Sequence, residues 1–142
     1  MHWNPSLKAG ITACLLLWLQ PACAAESGPP PAVDTLIQKD LLGAPDKEIL
    51  MITVEYVPGG ASLPHRHDAQ VFVYVLEGAL TMQIEGTPPR VIRKGETFYE
   101  SPTDVHQTSA NASATAPAKI LVFIVKAKGA PVSRPVPLRT AP

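Results

Sequence analysis

The apolar residues of this chain alternate with a period of two, and no other feature constrains its fold as much. The main apolar runs are rich in β-branched and aromatic residues, which favour strands over helices; they cover residues 50–57, 71–76 and 119–126. Turn signals such as Pro58-Gly59-Gly60 and Lys94-Gly95 separate them. With 16 prolines and 9 glycines, the chain is interrupted too often for long helices. The pattern predicts an all-β sandwich or barrel.

An export-type segment precedes the β-rich region. Lys8 is followed by an apolar run over residues 9–19, which has the length of a signal-peptide core and is too short to span a bilayer. Small residues then allow cleavage after Ala24 or Ala25. We therefore predict that residues 1–25 are a secretory signal peptide. A periplasmic or secreted protein with no stable membrane anchor after processing is expected, and a short N-terminal anchor helix is the alternative.

The rest of the chain divides into three parts. Residues 26–33, with three consecutive prolines, are predicted as an extended leader, and residues 34–128 as the folded domain. Residues 129–142 form a Pro-rich tail that either lies across the body or trails free. Both cysteines, Cys14 and Cys23, fall within the predicted signal peptide. The processed chain would therefore have no disulfide and no thiolate zinc site.

The charge balance excludes some classes of partner. Lys+Arg number 12 and Asp+Glu number 12, whereas a nucleic-acid binder normally carries a basic surplus. The 46% hydrophobic content is too high for an intrinsically disordered chain. A soluble domain whose partner is a small molecule, and not a nucleic acid, is the expectation.

His65-Arg66-His67 is the feature that indicates chemistry. Residues two apart on a strand point to the same face, so both imidazoles would project together. His106 is the only other histidine after residue 25, and it follows a second strand-and-turn segment. Because imidazole is the commonest metal-binding side chain, the three histidines predict a metal site. Solvated loop histidines are the alternative.

These residues resemble the two motifs of the cupin family. The first motif, G-x5-H-x-H-x3,4-E-x6-G, is matched by Gly59, His65, His67 and Gly78. The second, G-x5-P-x-G-x2-H-x3-N, is approached with one-residue shifts, and with Asp104 in place of a glycine, by Gly95, Pro102, His106 and Asn111. The resemblance implies a small single-domain cupin, a double-stranded β-helix (jelly-roll) barrel. It also implies a divalent metal held by His65, His67 and His106, and pairing into homodimers.

The sequence departs from the first motif at the metal-binding glutamate, where Val71 stands. Gln70 is adjacent, but on a strand it would point to the opposite face. The resemblance then implies three neutral imidazole ligands, as in thiol dioxygenases and some diketone-cleaving cupins, with open positions for substrate and O₂. Iron or manganese is the expected metal, with nickel, copper or zinc as alternatives. Such a site would favour anionic, chelating substrates. The other interpretation is a decayed pocket that binds metal weakly or not at all.

Glu100 is the nearby carboxylate that could take part in catalysis. It could serve as a fourth ligand, an acceptor for an imidazole N–H or a proton-transfer base. The alternative is a solvated rim glutamate. The predicted pocket wall consists of Val71, Val73, Tyr74, Phe98 and Tyr99.

Two function classes follow. The first is an exported metal-dependent enzyme, dioxygenase-like, with a lyase or isomerase as a variant, acting on a small chelating organic substrate. The second is a non-catalytic module that binds a small ligand or a metal. The fold alone does not choose between them.

Overall fold

The computed structural model describes residues 28–137, so the predicted signal peptide and its cleavage sites lie outside the described residues. The described part is all-β, as predicted, and it contains no helix that is long and apolar enough to cross a membrane. Its strands, in chain order, are β1 (Ala32–Asp40), β2 (Lys47–Tyr56), β3 (Ala61–Ser62), β4 (His65–Arg66), β5 (Gln70–Glu77), β6 (Ala79–Ile84), β7 (Arg90–Arg93), β8 (Thr97–Glu100), β9 (His106–Asn111), β10 (Ala118–Ala127) and β11 (Arg134–Pro135).

The strands form two antiparallel sheets. One has the order β1-β2-β10-β5-β8 and the other β11-β4-β9-β6-β7, with β3 paired to β9. The inward side chains of both sheets make one core, in which Val71, Leu80 and Ile124 have no exposed surface. Strands that are neighbours in a sheet are often distant in sequence, since β10 lies between β2 and β5. This is the predicted jelly-roll architecture.

The alternation along strand β5 determines which of its side chains face the interior. Val71, Val73 and Val75 are buried, whereas Phe72 and Tyr74 between them are 44% and 45% exposed. The run VFVYVL is therefore buried on one face, although its continuous apolar character also allowed burial on both. The side chains that alternate outward leave an apolar outer face on the first sheet.

Both Pro-rich ends contribute to the folded body within the described residues. Strand β1 begins at Ala32, inside the predicted leader, and the carbonyl of Pro29 accepts a hydrogen bond of 3.1 Å from the Ala61 N–H. Strand β11 lies inside the predicted tail and pairs with β4, so that Pro135 is opposite His65. The first part of the tail therefore crosses the strand that carries the His-x-His pair.

A buried ion pair fixes the point from which the tail departs. Lys126 Nζ contacts the Glu48 carboxylate and donates to the Ala130 carbonyl oxygen at 2.7 Å. The carboxylate also accepts hydrogen bonds from Gln38 Nε2 at 2.8 Å and from the Gly129 N–H at 3.2 Å. These donors, Lys126 first and Gln38 next, lower the pKa of Glu48 from 4.5 to about 2.

We expect Glu48→Gln to destabilise the protein in a pH-dependent way. Since the folded state lowers the pKa of Glu48 from 4.5 to about 2, the ionised carboxylate stabilises it. That contribution is complete above pH 4.5 and is lost as the pH falls towards 2. Thermal unfolding followed by circular dichroism should give a lower Tm for the variant at neutral pH and a difference that shrinks on acidification. The exposed Glu55→Gln serves as control, and a Tm difference that is independent of pH would contradict the assignment.

Candidate metal centre

A cavity of about 500 Å³ lies between the two sheets, and its walls are mostly apolar. The first sheet contributes Val71 and Val73, and the second contributes Met82. The predicted leader and the predicted tail contribute Pro30 and Val132. The polar atoms concentrate on a few side chains, which include the histidines and Glu100. The cavity therefore combines a dry wall with a small polar region, as small-molecule sites usually do.

The structure brings His65, His67 and His106 together. Strands β4 and β9 pair so that His65 is directly opposite His106, and their ring centroids are 5.2 Å apart. His67 follows β4 immediately, and its ring centroid lies 4.8 Å from that of His65. One donor atom from each histidine and one from Glu100 all lie within 4.8 Å of one another.

Backbone carbonyls set the orientation of two of these rings. His65 Nδ1 lies 2.8 Å from the Leu63 carbonyl oxygen, and His67 Nδ1 lies 2.7 Å from that of Val132. A carbonyl oxygen can only accept, so both Nδ1 atoms carry the hydrogen and both Nε2 atoms of the neutral rings present a lone pair. Burial lowers the pKa of His65, and the neighbouring His67 and His106 lower it further. The neutral, ligating form of His65 is therefore favoured.

The remaining ring nitrogens fit a bound cation. The Nε2 atoms of His65 and His67 are 3.1 Å apart, although each carries a lone pair in this tautomer. Two imidazole nitrogens that bind one ion at about 2.1 Å in neighbouring positions are separated by about 3.0–3.4 Å. Within the described residues, His106 Nε2 is buried without a hydrogen-bond partner. A divalent ion would satisfy the two facing lone pairs of His65 and His67, and one nitrogen of His106 lies within 4.8 Å of the same donor group.

Glu100 belongs to the same centre. Its side chain is only 3% exposed, so it is not a solvated rim glutamate. One carboxylate oxygen lies 3.1 Å from His106 Nδ1 and the other 3.6 Å from His67 Nε2. Glu100 is paired across β5 and β8 with Val71, the position where the cupin motif has its glutamate. The neighbouring strand thus supplies the carboxylate that β5 lacks.

This carboxylate adds a negative charge beside the three imidazoles of the expected ligand set. Glu100 can bind an ion directly, or it can accept a hydrogen bond from His106 Nδ1–H while Nε2 of that ring binds. In both arrangements it brings a negative charge to within a few ångströms of the site. A divalent centre would then have a net charge of about +1, and its preference for anionic substrates would be weaker.

The predicted pocket residues divide between the two faces of the sheet. Val71 and Val73 line the cavity. Tyr74 and Tyr99 do not: they are 45% and 49% exposed on the outer face, because each lies between two inward-facing neighbours. Phe98 is 9% exposed and stacks on the His106 ring at a centroid distance of 5.7 Å, so it supports that ring and is not among the residues that line the cavity.

Among the hydroxyl groups that line the cavity, sequence reasoning missed those that lie on strands, namely Tyr56, Ser62 and Ser109. The period of two could have found Tyr56, because it shares a face of β2 with Val54 and Ile52. Sequence patterns gave no comparable signal for the serines. They lie on short or irregular strands, where alternation does not reveal the inward face.

The comparisons with known proteins agree with the fold. The cupin domain family matches residues 52–124, which is just over half of the chain. This chain belongs to the cupin family. No match was found among curated proteins.

Several solved structures are similar to this chain in fold. A double-stranded β-helix protein from Klebsiella pneumoniae has a TM-score of 0.57 at 18% identity, over 72% of this chain and 81% of that one. The DMSP lyase DddQ from Ruegeria pomeroyi has a TM-score of 0.56 at 21% identity, over 74% of this cupin and 51% of the lyase. An oxalate oxidase in complex with glycolate has a TM-score of 0.54 at 27% identity, over 71% of this cupin and 52% of the oxidase. The match thus spans only about half the length of each enzyme.

We expect Glu100→Gln to weaken the binding of a divalent metal by about 10- to 100-fold, because it removes a ligand or the partner that orients one. Val71 faces Glu100 across the strand pair and lines the same cavity, so adding Val71→Glu to this variant should restore much of the affinity. Calorimetric titration of the metal-free protein with Mn²⁺ or Fe²⁺ measures both effects. The exposed Glu77→Gln is the matched control, and unchanged affinity in Glu100→Gln would remove this residue from the site.

Proposed function

We propose that this cupin is a metal-dependent enzyme that acts on a small, chelating organic substrate. The observation that carries the proposal is the convergence of His65, His67, His106 and Glu100 at a largely buried site in an apolar cavity. Their hydrogen bonds leave nitrogen lone pairs directed at one another, which suits a cation and does not suit an empty core.

The donor set indicates the class of metal. Three imidazoles with one carboxylate suit iron or manganese, whereas zinc, nickel and copper remain acceptable to the same ligands. When bound, such an ion supplies Lewis-acid activation of a chelating substrate and, if it is iron or manganese, a place for O₂ to react. We therefore favour a dioxygenase-like oxidoreductase, in which both atoms of O₂ enter the product. A lyase or isomerase would use the Lewis-acid function alone.

The protein's own residues have separate tasks in this proposal. Val71, Val73 and Met82 exclude water and hold the apolar body of the substrate. Glu100 is within reach of two ligand rings, so it can hold a proton beside the reacting atoms. The glycolate complex of the 27% identical oxalate oxidase supports a small, oxygen-bearing ligand for this type of barrel.

Metal content and turnover test the proposal together. We expect the native protein, purified without chelators, to contain about one equivalent of iron or manganese by elemental analysis. The metal-loaded form should consume O₂ with a member of a panel of catechols, flavonols, β-diketones and thiols. His106→Ala should lose the metal and the turnover while circular dichroism shows the fold retained.

Thermal stabilisation by a panel member without any turnover would instead show a binding module. A metal-free native protein that also fails to load metal would overturn the proposal.

Export forms part of the same proposal. The signal-like residues 1–25 support a periplasmic or secreted location, where the processed chain would contain no thiol for oxidation. A site without cysteine ligands is compatible with that environment, since imidazole and carboxylate donors do not form disulfides.

We further propose that two copies of the chain pair through the outer face of the first sheet. The register aligns five apolar side chains in one row across all five strands: Ile37, Met51, Phe123, Phe72 and Tyr99. Three of them, Ile37, Phe72 and Tyr99, are 45%, 44% and 49% exposed. The row is roughly 20 Å long at about 4.8 Å per strand. An apolar face of this extent, with charged residues such as Glu55 and Lys119 at its edge, suits a second identical sheet.

We expect Phe72→Lys to convert a dimer to a monomer, because it places a charge within the apolar row, between Phe123 and Tyr99. Sedimentation velocity of the wild type and the variant measures this. Val91→Lys is the control, since Val91 is also 43% exposed but lies on the other sheet. A monomeric wild-type protein, or dissociation by the control alone, would overturn the pairing.

A further inference from the structure

We infer that the cavity contains a second polar subsite, formed by the hydroxyl groups of Tyr56, Ser62 and Ser109, which selects the end of the substrate opposite the metal. This inference rests on the proposed function and narrows its substrate class. The favoured substrate carries a chelating group at one end, an apolar body, and an uncharged hydrogen-bonding group at the other end.

The three hydroxyls form a connected cluster in the cavity wall. Tyr56 Oη lies 2.7 Å from Ser109 Oγ and 3.2 Å from Ser62 Oγ. Ser109 Oγ also lies 3.5 Å from the Met82 sulfur, a weak acceptor. All four residues line the same cavity as the histidines and Glu100. Their mutual hydrogen bonds meet the cost of burying the hydroxyls, and the cluster gives an otherwise apolar wall a polar surface to which a polar ligand group can bind.

The strand register sets the distance between the two polar regions. Ser62 is opposite Ser109 where β3 pairs with β9, and His65 is opposite His106 where β4 pairs with the same strand. Each serine is three residues from the histidine on its own side. At about 3.3 Å per residue, the hydroxyl pair lies about 10 Å along the strands from the histidine pair.

A β-bulge makes this arrangement possible. Residues three apart on a regular strand point to opposite faces, yet His106 and Ser109 are 2% and 3% exposed and both line the cavity. The pairing of β6 with β9 explains this, because the adjacent Gln83 and Ile84 are opposite Thr108 and His106. Gln107 is therefore an extra residue that reverses the alternation between the two inward positions.

The hydroxyl cluster can present either a hydrogen or a lone pair to a ligand. Its three hydroxyls have three hydrogens, and a thioether sulfur is a weak acceptor. If Ser109 donates to Tyr56 and not to Met82, Tyr56 can donate to Ser62, and the Ser62 hydrogen is left for the ligand. Burial raises the pKa of Tyr56, so its hydroxyl stays protonated at neutral pH.

The charges of the cavity favour an uncharged group at this end. Among the described residues that line the cavity there is no lysine or arginine, and the one carboxylate is Glu100. A terminal carboxylate or phosphate would have no cation to pair with. The wall that the first sheet contributes to the cavity is largely aliphatic and includes Val54, Ile120 and Val122. A hydroxyl, ether or carbonyl at the far end of an apolar body therefore fits best.

The test compares two chelating probes of equal size on the metal-loaded protein. The first is 4-(3-hydroxypropyl)catechol and the second is 4-butylcatechol, which replaces the terminal hydroxyl by a methyl group. Calorimetric titration should show about five- to tenfold tighter binding of the hydroxyl-bearing probe by the wild type, since one hydrogen bond in a dry site contributes about that much.

Substitutions in the hydroxyl cluster should remove this preference. In Ser62→Ala and in Tyr56→Phe we expect the ratio of the two dissociation constants to approach one, with the affinity for 4-butylcatechol retained. Thr108→Val is the matched control, because its hydroxyl bonds Gln83 and does not line the cavity. The control should keep the wild-type ratio.

The outcomes separate the subsite from the proposed function. Equal binding of both probes by the wild type, or a preference that persists in Ser62→Ala and Tyr56→Phe, overturns the subsite and leaves the metal enzyme standing. Failure of the metal-loaded wild type to bind either probe also overturns the subsite. A protein that takes up no metal overturns the proposed function, and the subsite with it.

Discussion

The burial of one carboxylate among three imidazoles is the constraint on which this structure depends. An unpaired ion in a protein interior costs several kcal/mol even after relaxation. Glu100 is 3% exposed and faces a cavity whose walls are mostly aliphatic, so its charge must be met by its immediate neighbours. Among the described residues, its polar neighbours in the cavity are His106 Nδ1 at 3.1 Å and His67 Nε2 at 3.6 Å, and the hydrogen bond of His67 Nδ1 leaves a lone pair, not a hydrogen, at Nε2 of that ring. A cation at the centre of the group would balance the charge of Glu100 and would also bind the lone pairs of the rings.

The tail beyond β10 connects this centre to the far end of the first sheet. The Glu48–Lys126 pair holds the turn at Gly129 and Ala130. Two residues later the Val132 carbonyl receives the His67 Nδ1–H. Arg134 then bonds Asp68 at 3.0 Å, which fastens the tail beside the His-x-His segment. This proline-rich tail has no strong secondary-structure signal in the sequence. It nevertheless orients the His67 ring, because its backbone still supplies carbonyl oxygens.

The period of two accounts for what the sequence could predict and for one of its errors. It predicts an all-β chain and places Val71 and Val73 on the inner face, where the structure has them. The same alternation puts Tyr74 outside, so the prediction of a tyrosine in the pocket contradicted its own pattern. Glu100 was within reach of sequence reasoning as a candidate, but its role depends on lying opposite Val71 across two strands. Cross-strand register and the bulge at Gln107 are set by long-range pairing, which no local pattern reports.

The bulge also explains how a common barrel can be adapted to a particular ligand. The histidine pair and the serine pair lie on the same two stretches of chain, residues 62–65 and 106–109. The number of residues between the two pairs is therefore fixed. Moving the extra residue out of the stretch between His106 and Ser109, or deleting it, would turn one of these two side chains outward. The distance between chelating and hydrogen-bonding groups is therefore determined by backbone register and not by the size of any side chain. Ligand length in such a barrel can therefore change only in discrete steps set by the strand register, because a position displaced by one residue faces outward.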